Sequence, residues 1–571
     1  MTQPSEINRR DFLKRAGVAV AASSLVGTVF AAGGERVEQN KVLEKSFRAS
    51  SPYRDPFHDV EFKVRITFPD GREQTYPGYW AGGDVFKFRF SSHEVGEFSY
   101  VTLSSNPGDA GLHQQRGTFR VVRYAGDNPL LKHGPIRVSA DKRHFTHLDG
   151  TPFLWLGDTW WCGMTKRLAW PDEFKLITED RRQKDYNVIQ FTAGLAPSGT
   201  YFDQKNVNEA GLPWDEASQS VNPAYFDAAD QRVFHLVSAG MVPVVVPCWG
   251  FYVLRMGTGP MKKFWAYIMA RWGALPAVWC LAGELSMPYY TSKTPEDDAR
   301  RQREEWQGVL EYVREINCWG HLVTIHPRYG SSAKAEALNP AHLDFDMLQT
   351  GHMYLQALPK TLTMLCDSRA SQPVMPALVD EVAYEGIAET NWEDCQRQLF
   401  WASVLSGSPG FTYGAHGITQ FNSPEHPSHV QPQGLSWGEA PWKDSMHYRG
   451  SRQVGVGKKV LESLNWPGME PHPEWLEPGN NPLLRHFVSY AAGIPGRLRV
   501  IYFSSISPMN LKVLKLEPGV VYDAHFVVPS SGKKLPVGKV HGDDKGVWTM
   551  TRTRKHDLLL VLTAGSETAS R

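Results

Sequence analysis

The sequence predicts a multidomain protein in which a central (β/α)8 TIM barrel is flanked by an N-terminal β-sandwich and a C-terminal β-sandwich. Three observations predict it. Residues 36–124 alternate apolar and polar side chains in short runs broken by turn residues. Residues 128–466 carry eight apolar stretches, each followed by an amphipathic stretch or a gap of helix length. Residues 467–571 return to short alternating runs. At 571 residues the chain is long enough for three such units.

Residues 1–32 stand apart. Asn8-Arg9-Arg10-Asp11-Phe12-Leu13-Lys14 precedes an apolar run rich in Ala and Gly, with small residues at Val29-Phe30-Ala31, which is the layout of an export signal. The paired arginines are those of a twin-arginine signal, so the expected location is periplasmic or extracellular. Removing 1–32 takes away four basic and two acidic side chains and moves the net charge from +1 to −1. The run is short and weakly apolar for a retained membrane anchor, so no membrane association is expected after cleavage.

In 36–124 the segments 60–68, 85–90, 97–101 and 117–121 have the period of two of a small antiparallel sandwich. They contain no acid, base or nucleophile constellation, so packing or substrate presentation is their expected role. The barrel strands are predicted at 153–157, 187–191, 242–247, 278–282, 321–325, 346–350, 374–379 and 410–413. The helices between them fall at 172–185, 225–239, 261–272, 296–316 and 392–405. The helix at 296–316 opens with Glu296, Asp297 and Asp298 and continues with Arg300, Arg301 and Arg303, a solvated face with acids at the positive helix end. Pro467-Gly468 and Pro478-Gly479-Asn480-Asn481-Pro482 then lead into apolar runs at 498–503, 511–516 and 558–562, the closing β domain.

Composition narrows the function classes. Lys plus Arg (61) balance Asp plus Glu (60), so no global field draws nucleic acid or an anionic surface. Six scattered cysteines without CxxC spacing argue against a disulfide framework or zinc site, and no cofactor or metal is expected. Nineteen Trp and 21 Tyr supply the flat apolar faces that sugar-binding clefts use.

Barrel chemistry sits where strands end at their C-termini, so the polar residues just past each apolar stretch are the candidates. They are Asp158, Trp160 and Trp161 after strand one, Gln190 in strand two, Trp249 after three, Glu284 after four, His326 after five, Gln349 and His352 at six, Glu381 and Tyr384 at seven, and Tyr413 at eight. Glu284 and Glu381 are the catalytic candidates. Carboxylates after strands four and seven face one another across a barrel mouth, where one can protonate a leaving oxygen while the other attacks or activates water, as glycoside hydrolysis requires. Asp158, Trp160, Trp161, Gln190, Trp249, His326, Gln349, His352, Tyr384 and Tyr413 are then the expected substrate contacts, with His326 and His352 as hydrogen-bonding groups and not metal ligands.

Particular segments are familiar as well. Asp149-Gly150-Thr151-Pro152-Phe153-Leu154-Trp155-Leu156-Gly157-Asp158-Thr159-Trp160, Thr324-Ile325-His326-Pro327-Arg328, Leu348-Gln349-Thr350-Gly351-His352, Asp380-Glu381-Val382-Ala383-Tyr384-Glu385-Gly386 and Tyr413-Gly414-Ala415-His416-Gly417 resemble the apiosidase-like glycoside hydrolases. The N-terminal sandwich is similar to the immunoglobulin-like domain that often precedes that barrel, and the C-terminal region to a β domain sometimes labelled collagen-binding. The resemblance implies Glu284 as acid/base, Glu381 as nucleophile, Glu385 as a supporting carboxylate, and a retaining mechanism with the pair about 5–5.5 Å apart. Where the family usually has Gly-Gly-Asp after strand four, this chain reads Ala282-Gly283-Glu284, one methylene longer, so apiose is not assumed as the sugar. The expected substrate is a plant or microbial polysaccharide or its branched oligosaccharides, with pectic side chains first. Two other classes fit less of the sequence: a non-catalytic carbohydrate-binding protein and a secreted adhesin that binds collagen or another protein.

Overall fold

The computed structural model describes residues 29–31, 34–428, 437–477, 489–552 and 554–565; most of the expected export signal and the turn at 478–482 lie outside the described residues. The middle of the chain forms one curled sheet whose eight parallel strands are Trp155–Thr159, Val188–Leu195, Val242–Cys248, Val278–Cys280, Val323–Thr324, Asp346–Gln349, Ala377–Glu381 and Gly410–Tyr413, here called central strands one to eight. Their spatial order is five, four, three, two, one, eight, seven, six. Strand one pairs with strand eight through Trp155 opposite Gly410 and Asp158 opposite Tyr413, so first and last strands are neighbours as a barrel needs.

Strands five and six are not laddered together among the described residues. Strand five has only two residues, both paired with strand four, and strand six takes a short antiparallel partner, Ser331–Ser332, instead. Three hydrogen bonds cross the seam: the Asp344 amide donates to the Val323 carbonyl at 2.9 Å, the Val323 amide to Asp344 Oδ2 at 2.7 Å, and the Thr324 hydroxyl to the Phe345 carbonyl at 2.9 Å.

Each strand is buried along its whole length, which is why it reads in sequence as a continuous apolar run and not as an alternation. Helices cover the outside. The helix Pro295–Ile316 begins with Pro, carries Glu296, Asp297 and Asp298 in its first turn, and buries Gln302, Trp306, Val309, Leu310 and Val313 at helical spacing. Arg300 and Arg301 stay outside and pair within the helix, with Asp297 at 3.0 Å and Asp298 at 3.2 Å. The helices Tyr354–Ala370 and Arg449–Glu462 are not among the predicted elements; Pro359 lies inside the first, and Gly450, Gly455 and Gly457, poor helix formers, lie inside the second.

The N-terminal region has a six-stranded and a three-stranded sheet packed over Val64, Ile66, Phe88, Phe90, Phe98 and Phe119. The C-terminal region repeats that plan with strands Leu498–Phe503, Tyr522–Val528 and Leu558–Ala564 central to its larger sheet. Alternate side chains of Leu498–Phe503 serve different cores: Leu498, Val500 and Tyr502 join the core of the middle region, while Ile501 and Phe503 join the C-terminal region's own. Trp401 stacks on Tyr502 at 6.3 Å, and Arg397 pairs with Asp557 at 2.7 Å. On the other flank Arg89 reaches across to Asp230 at 2.5 Å, and Val42 and Tyr79 enter the same central core. Among the described residues no helix is long and apolar enough to cross a membrane.

Candidate active site

Past the end of strand four the chain runs through Ala282-Gly283-Glu284. Gly283 bridges to Trp249, and a Cβ at 283 would fall 2.5 Å from the indole, so only glycine lets Trp249 lie against this strand exit. Glu284 follows with φ +44°, a left-handed backbone that a non-glycine residue adopts at a cost and that often marks a functional position. There its carboxylate meets three donors: Trp249 Nε1 at 2.9 Å and Tyr290 OH at 2.7 Å on Oε2, and Gln349 Nε2 at 3.3 Å on Oε1. Burial, the largest influence, and the charge of Glu381 push the Glu284 carboxyl above the usual carboxylate range, against the pull of its bonds from Tyr290 and Trp249. A carboxyl that keeps its proton has one to give.

Glu381 ends strand seven, every residue of which is buried. Gln349 Nε2 donates to its Oε1 at 2.6 Å, His352 Nε2 stands 3.3 Å from the same oxygen, and His326 Nε2 stands 3.2 Å from Oε2. Burial by itself would raise this carboxyl too, but His326, then His352 and Tyr384, outweigh it and hold it at about 2. Two carboxylates that share one amide donor are thus driven in opposite directions by their neighbours, the pattern that separates a proton donor from an anion.

Above them opens a cleft of about 700 Å³ measured out to its mouth. Of the sequence-predicted residues, Trp161, Trp249, Glu284, His352, Glu381 and Tyr384 line it. Trp161 and Trp249 meet edge to face at 5.0 Å, and the Trp161 indole donates to Tyr384 OH at 3.4 Å. His326 and Gln349 touch the carboxylates from behind without forming the wall.

Four predicted contacts lie beneath the cleft instead, and their placement corrects the expectation that they hold sugar. Asp158 is fully buried with both oxygens engaged: Arg181 Nε donates at 2.6 Å, Trp160 Nε1 at 2.8 Å and the Thr159 amide at 3.0 Å. Trp160 packs its other edges on Phe174 and Phe421. Gln190 donates to Thr159 Oγ1 at 2.8 Å, inside the sheet. Tyr413 donates to Glu385 Oε2 at 2.5 Å, and Glu385 also accepts the Gly450 amide at 2.9 Å, so this pair ties strand eight to the helix Arg449–Glu462.

Sequence reasoning missed Tyr290, which hydrogen-bonds Glu284, and the loop residues Ser198, Gln420 and Trp437, which also line the cleft. Tyr290 sits six residues past Glu284; extending the collection of polar and aromatic residues from strand ends into the following loops would have included it. Among the described residues no group of three or more His, Cys, Asp or Glu side chains is arranged to hold a metal, and none of the six cysteines forms a disulfide.

Comparison with known proteins identifies the family and the fold. The apiosidase-like catalytic domain matches residues 139–467, and DUF5060, a domain of unknown function, matches residues 36–105. Among solved structures, a candidate glycoside hydrolase of Bacteroides vulgatus ATCC 8482 is 17% identical with a TM-score of 0.68, covering 93% of this chain and 100% of that one. A glycoside hydrolase family 5 protein of the same organism is 20% identical with a TM-score of 0.64, covering 78% of this chain and 96% of that one. No curated protein matches the chain. At these identities the structural neighbours speak for the fold alone, whereas the catalytic-domain match spans more than half of the 571 residues: the chain belongs to the apiosidase-like family and is a glycoside hydrolase.

Proposed function

We propose that this glycoside hydrolase is an exported, retaining enzyme acting on a plant or microbial polysaccharide or its branched oligosaccharides, with Glu284 as acid/base and Glu381 as nucleophile. The observation that carries the reading is the shared donor. Gln349 Nε2 lies 3.3 Å from Glu284 Oε1 and 2.6 Å from Glu381 Oε1, so those oxygens are no more than 5.9 Å apart. That ceiling, set between one oxygen of each carboxyl, accommodates the roughly 5–5.5 Å separation of a pair that attacks directly. Glu284 gives its proton to the leaving oxygen while Glu381 bonds to the anomeric carbon; Glu284 then takes a proton from the water that releases the sugar. Trp161 and Trp249 offer ring edges and faces to the sugar, and His352 and Tyr384 hold its hydroxyls.

The same reading treats the curled sheet as a (β/α)8 barrel over 128–466, its seam carried by the bonds between 323–324 and 344–345, with β domains over 36–124 and 467–571. Export by the twin-arginine route rests on Arg9 and Arg10; secretion of folded protein that survived a double Lys substitution would refute it. Reducing-sugar release across pectic, other plant and bacterial glycans identifies the substrate, and no release from any of them would favour a binding protein. Proton NMR of the first-formed product then reads the stereochemistry. Initial release of the anomer opposite to the substrate's would show an inverting pair and overturn the roles given to Glu284 and Glu381.

A further inference from the structure

Behind Glu381 lies a chain of contacts that crosses four of the central strands. Trp155 Nε1 in strand one donates to Thr412 Oγ1 in strand eight at 3.0 Å, and Thr412 Oγ1 donates to Asp380 Oδ1 in strand seven at 2.9 Å. Asp380 Oδ2 stands 3.1 Å from His326 Nδ1, just past strand five, and His326 Nε2 stands 3.2 Å from Glu381 Oε2. All five side chains are buried.

Consecutive residues on a regular strand point to opposite faces, yet Asp380 and Glu381 both reach one imidazole. The register supplies the cause. Leu348 pairs with Val379 and the next residue, Gln349, pairs with Glu381, so strand seven carries an extra residue at Asp380, and such a bulge can turn neighbouring side chains to the same side. The ring therefore sits between two carboxylates with a nitrogen facing each. A neutral imidazole would aim a lone pair at one of the two anions, whereas the doubly protonated ring presents a donor to both.

We infer that His326 is a buried imidazolium, oriented by Asp380 and through it by Thr412 and Trp155, and that it acts as a positioning residue that fixes the charge and aim of Glu381 instead of binding sugar. The inference rests on Glu381 being the nucleophile. Burial would strip the proton from His326, but Asp380 and Glu381 reverse this and hold the ring at about 10. Its Nε2 faces Glu381 Oε2 at 3.2 Å, so the imidazolium places its charge directly against that oxygen. The other groups facing Glu381 are Glu284, Gln349, His352 and Tyr384; those facing the His326 ring are Trp161 and Trp249, both neutral.

The first test needs no substrate. Nitrogen-15 NMR of the full-length enzyme labelled at histidine is expected to show one ring with both nitrogens protonated and no titration from pH 5 to 8. Its resonances are identified by their loss in His326→Gln or, if that variant does not fold, by through-space contact with the Trp161 ring 4.9 Å away. In Asp380→Asn the same ring should titrate at lower pH than in the parent. A His326 with one unprotonated nitrogen at pH 6 to 7 overturns the inference whatever the fate of the proposed function.

The second test is kinetic, on the 2,4-dinitrophenyl glycoside of the sugar released from the active polysaccharide. His326→Gln leaves Asp380 and Glu381 without their shared cation, so the acid limb of kcat/KM should move up by about one pH unit or more, with kcat falling and KM little changed. His326→Gln/Asp380→Asn should bring the limb part of the way back, which loss of packing alone would not do. An unmoved limb with the loss expressed in KM would make His326 a sugar ligand. Full turnover in Glu381→Gln would instead refute the nucleophile assignment, and the NMR result would stand apart from it.

Discussion

Asp158 and Glu381 make an instructive pair. Both are carboxylates at the ends of central strands, both are buried, and each faces a buried cation, Arg181 at 2.6 Å and His326 at 3.2 Å. Around Asp158 both oxygens are engaged, by a guanidinium and an indole on one and an amide on the other, and no part of the residue reaches the cleft. Glu381 is filled on one oxygen only and lines the cleft. Burial and ion pairing are common to the two. What separates a structural strut from a reagent is a lone pair left over in front of open space.

The largest effects should come from the reagent side. Glu381→Gln and Glu284→Gln keep the shape and remove the charge or the proton, so each should lower kcat by about 10²- to 10⁴-fold while circular dichroism stays that of the parent. Azide should rescue Glu284→Ala on a substrate with a good leaving group, giving a glycosyl azide, and should leave Glu381→Gln inactive. Rescue of neither variant would erase the proposed division of labour.

On the strut side the effect should move from activity to stability. Asp158→Ala strands the Arg181 guanidinium in the interior, which costs about 3–5 kcal/mol. Urea unfolding should register that loss while the folded fraction keeps a near-parental kcat. An Asp158→Ala enzyme of parental stability and lost turnover would collapse the contrast.

The pH profile sharpens it further. Glu284 is raised, so it holds its proton to higher pH than an ordinary carboxyl and surrenders it as pH climbs; Glu381, held at about 2, stays ionised down to that point. Activity should therefore be sustained well into acid and decline on the alkaline side, tenfold per unit once Glu284 titrates. That alkaline decline should be absent from the residual rate of Glu284→Gln. The smallest effect is expected at Tyr413→Phe, which removes one hydrogen bond to Glu385 and should cost about 1 kcal/mol of stability with no change in kcat.

The same pair explains what could be read from the sequence. Wholly buried parallel strands advertise themselves as apolar runs, and Val242–Cys248 was found at nearly its full length. Of the carboxylates that share Gln349, Glu284 is legible as the first acid past such a run and Glu381 as the second of the adjacent pair Asp380-Glu381. The direction a side chain takes at a strand end was not readable. Asp158 and Glu381 look alike in sequence, and they diverge because Arg181, 23 residues on, folds back onto one, while a bulge at Asp380 re-aims the other. Strand five shrank to Val323–Thr324 because pairing, not apolarity, defines a ladder. Tyr290 and Trp437 sit in loops that have no period to betray them.

The alternation in Leu498–Phe503, one face given to the middle region and the other to the strand's own sheet, bears on how such an enzyme can change over time. A shared strand interface makes the C-terminal region a poor candidate for exchange, because a transplanted sheet would need to match Trp401 and the Arg397–Asp557 link as well as close its own interior. Truncation at that joint would uncover Trp401 and its neighbours to water and invite aggregation. Variation that adapts the enzyme to new glycans is therefore channelled to the loops around the cleft, where side chains answer to the sugar alone, and recombination of whole modules is held back by the packing beneath.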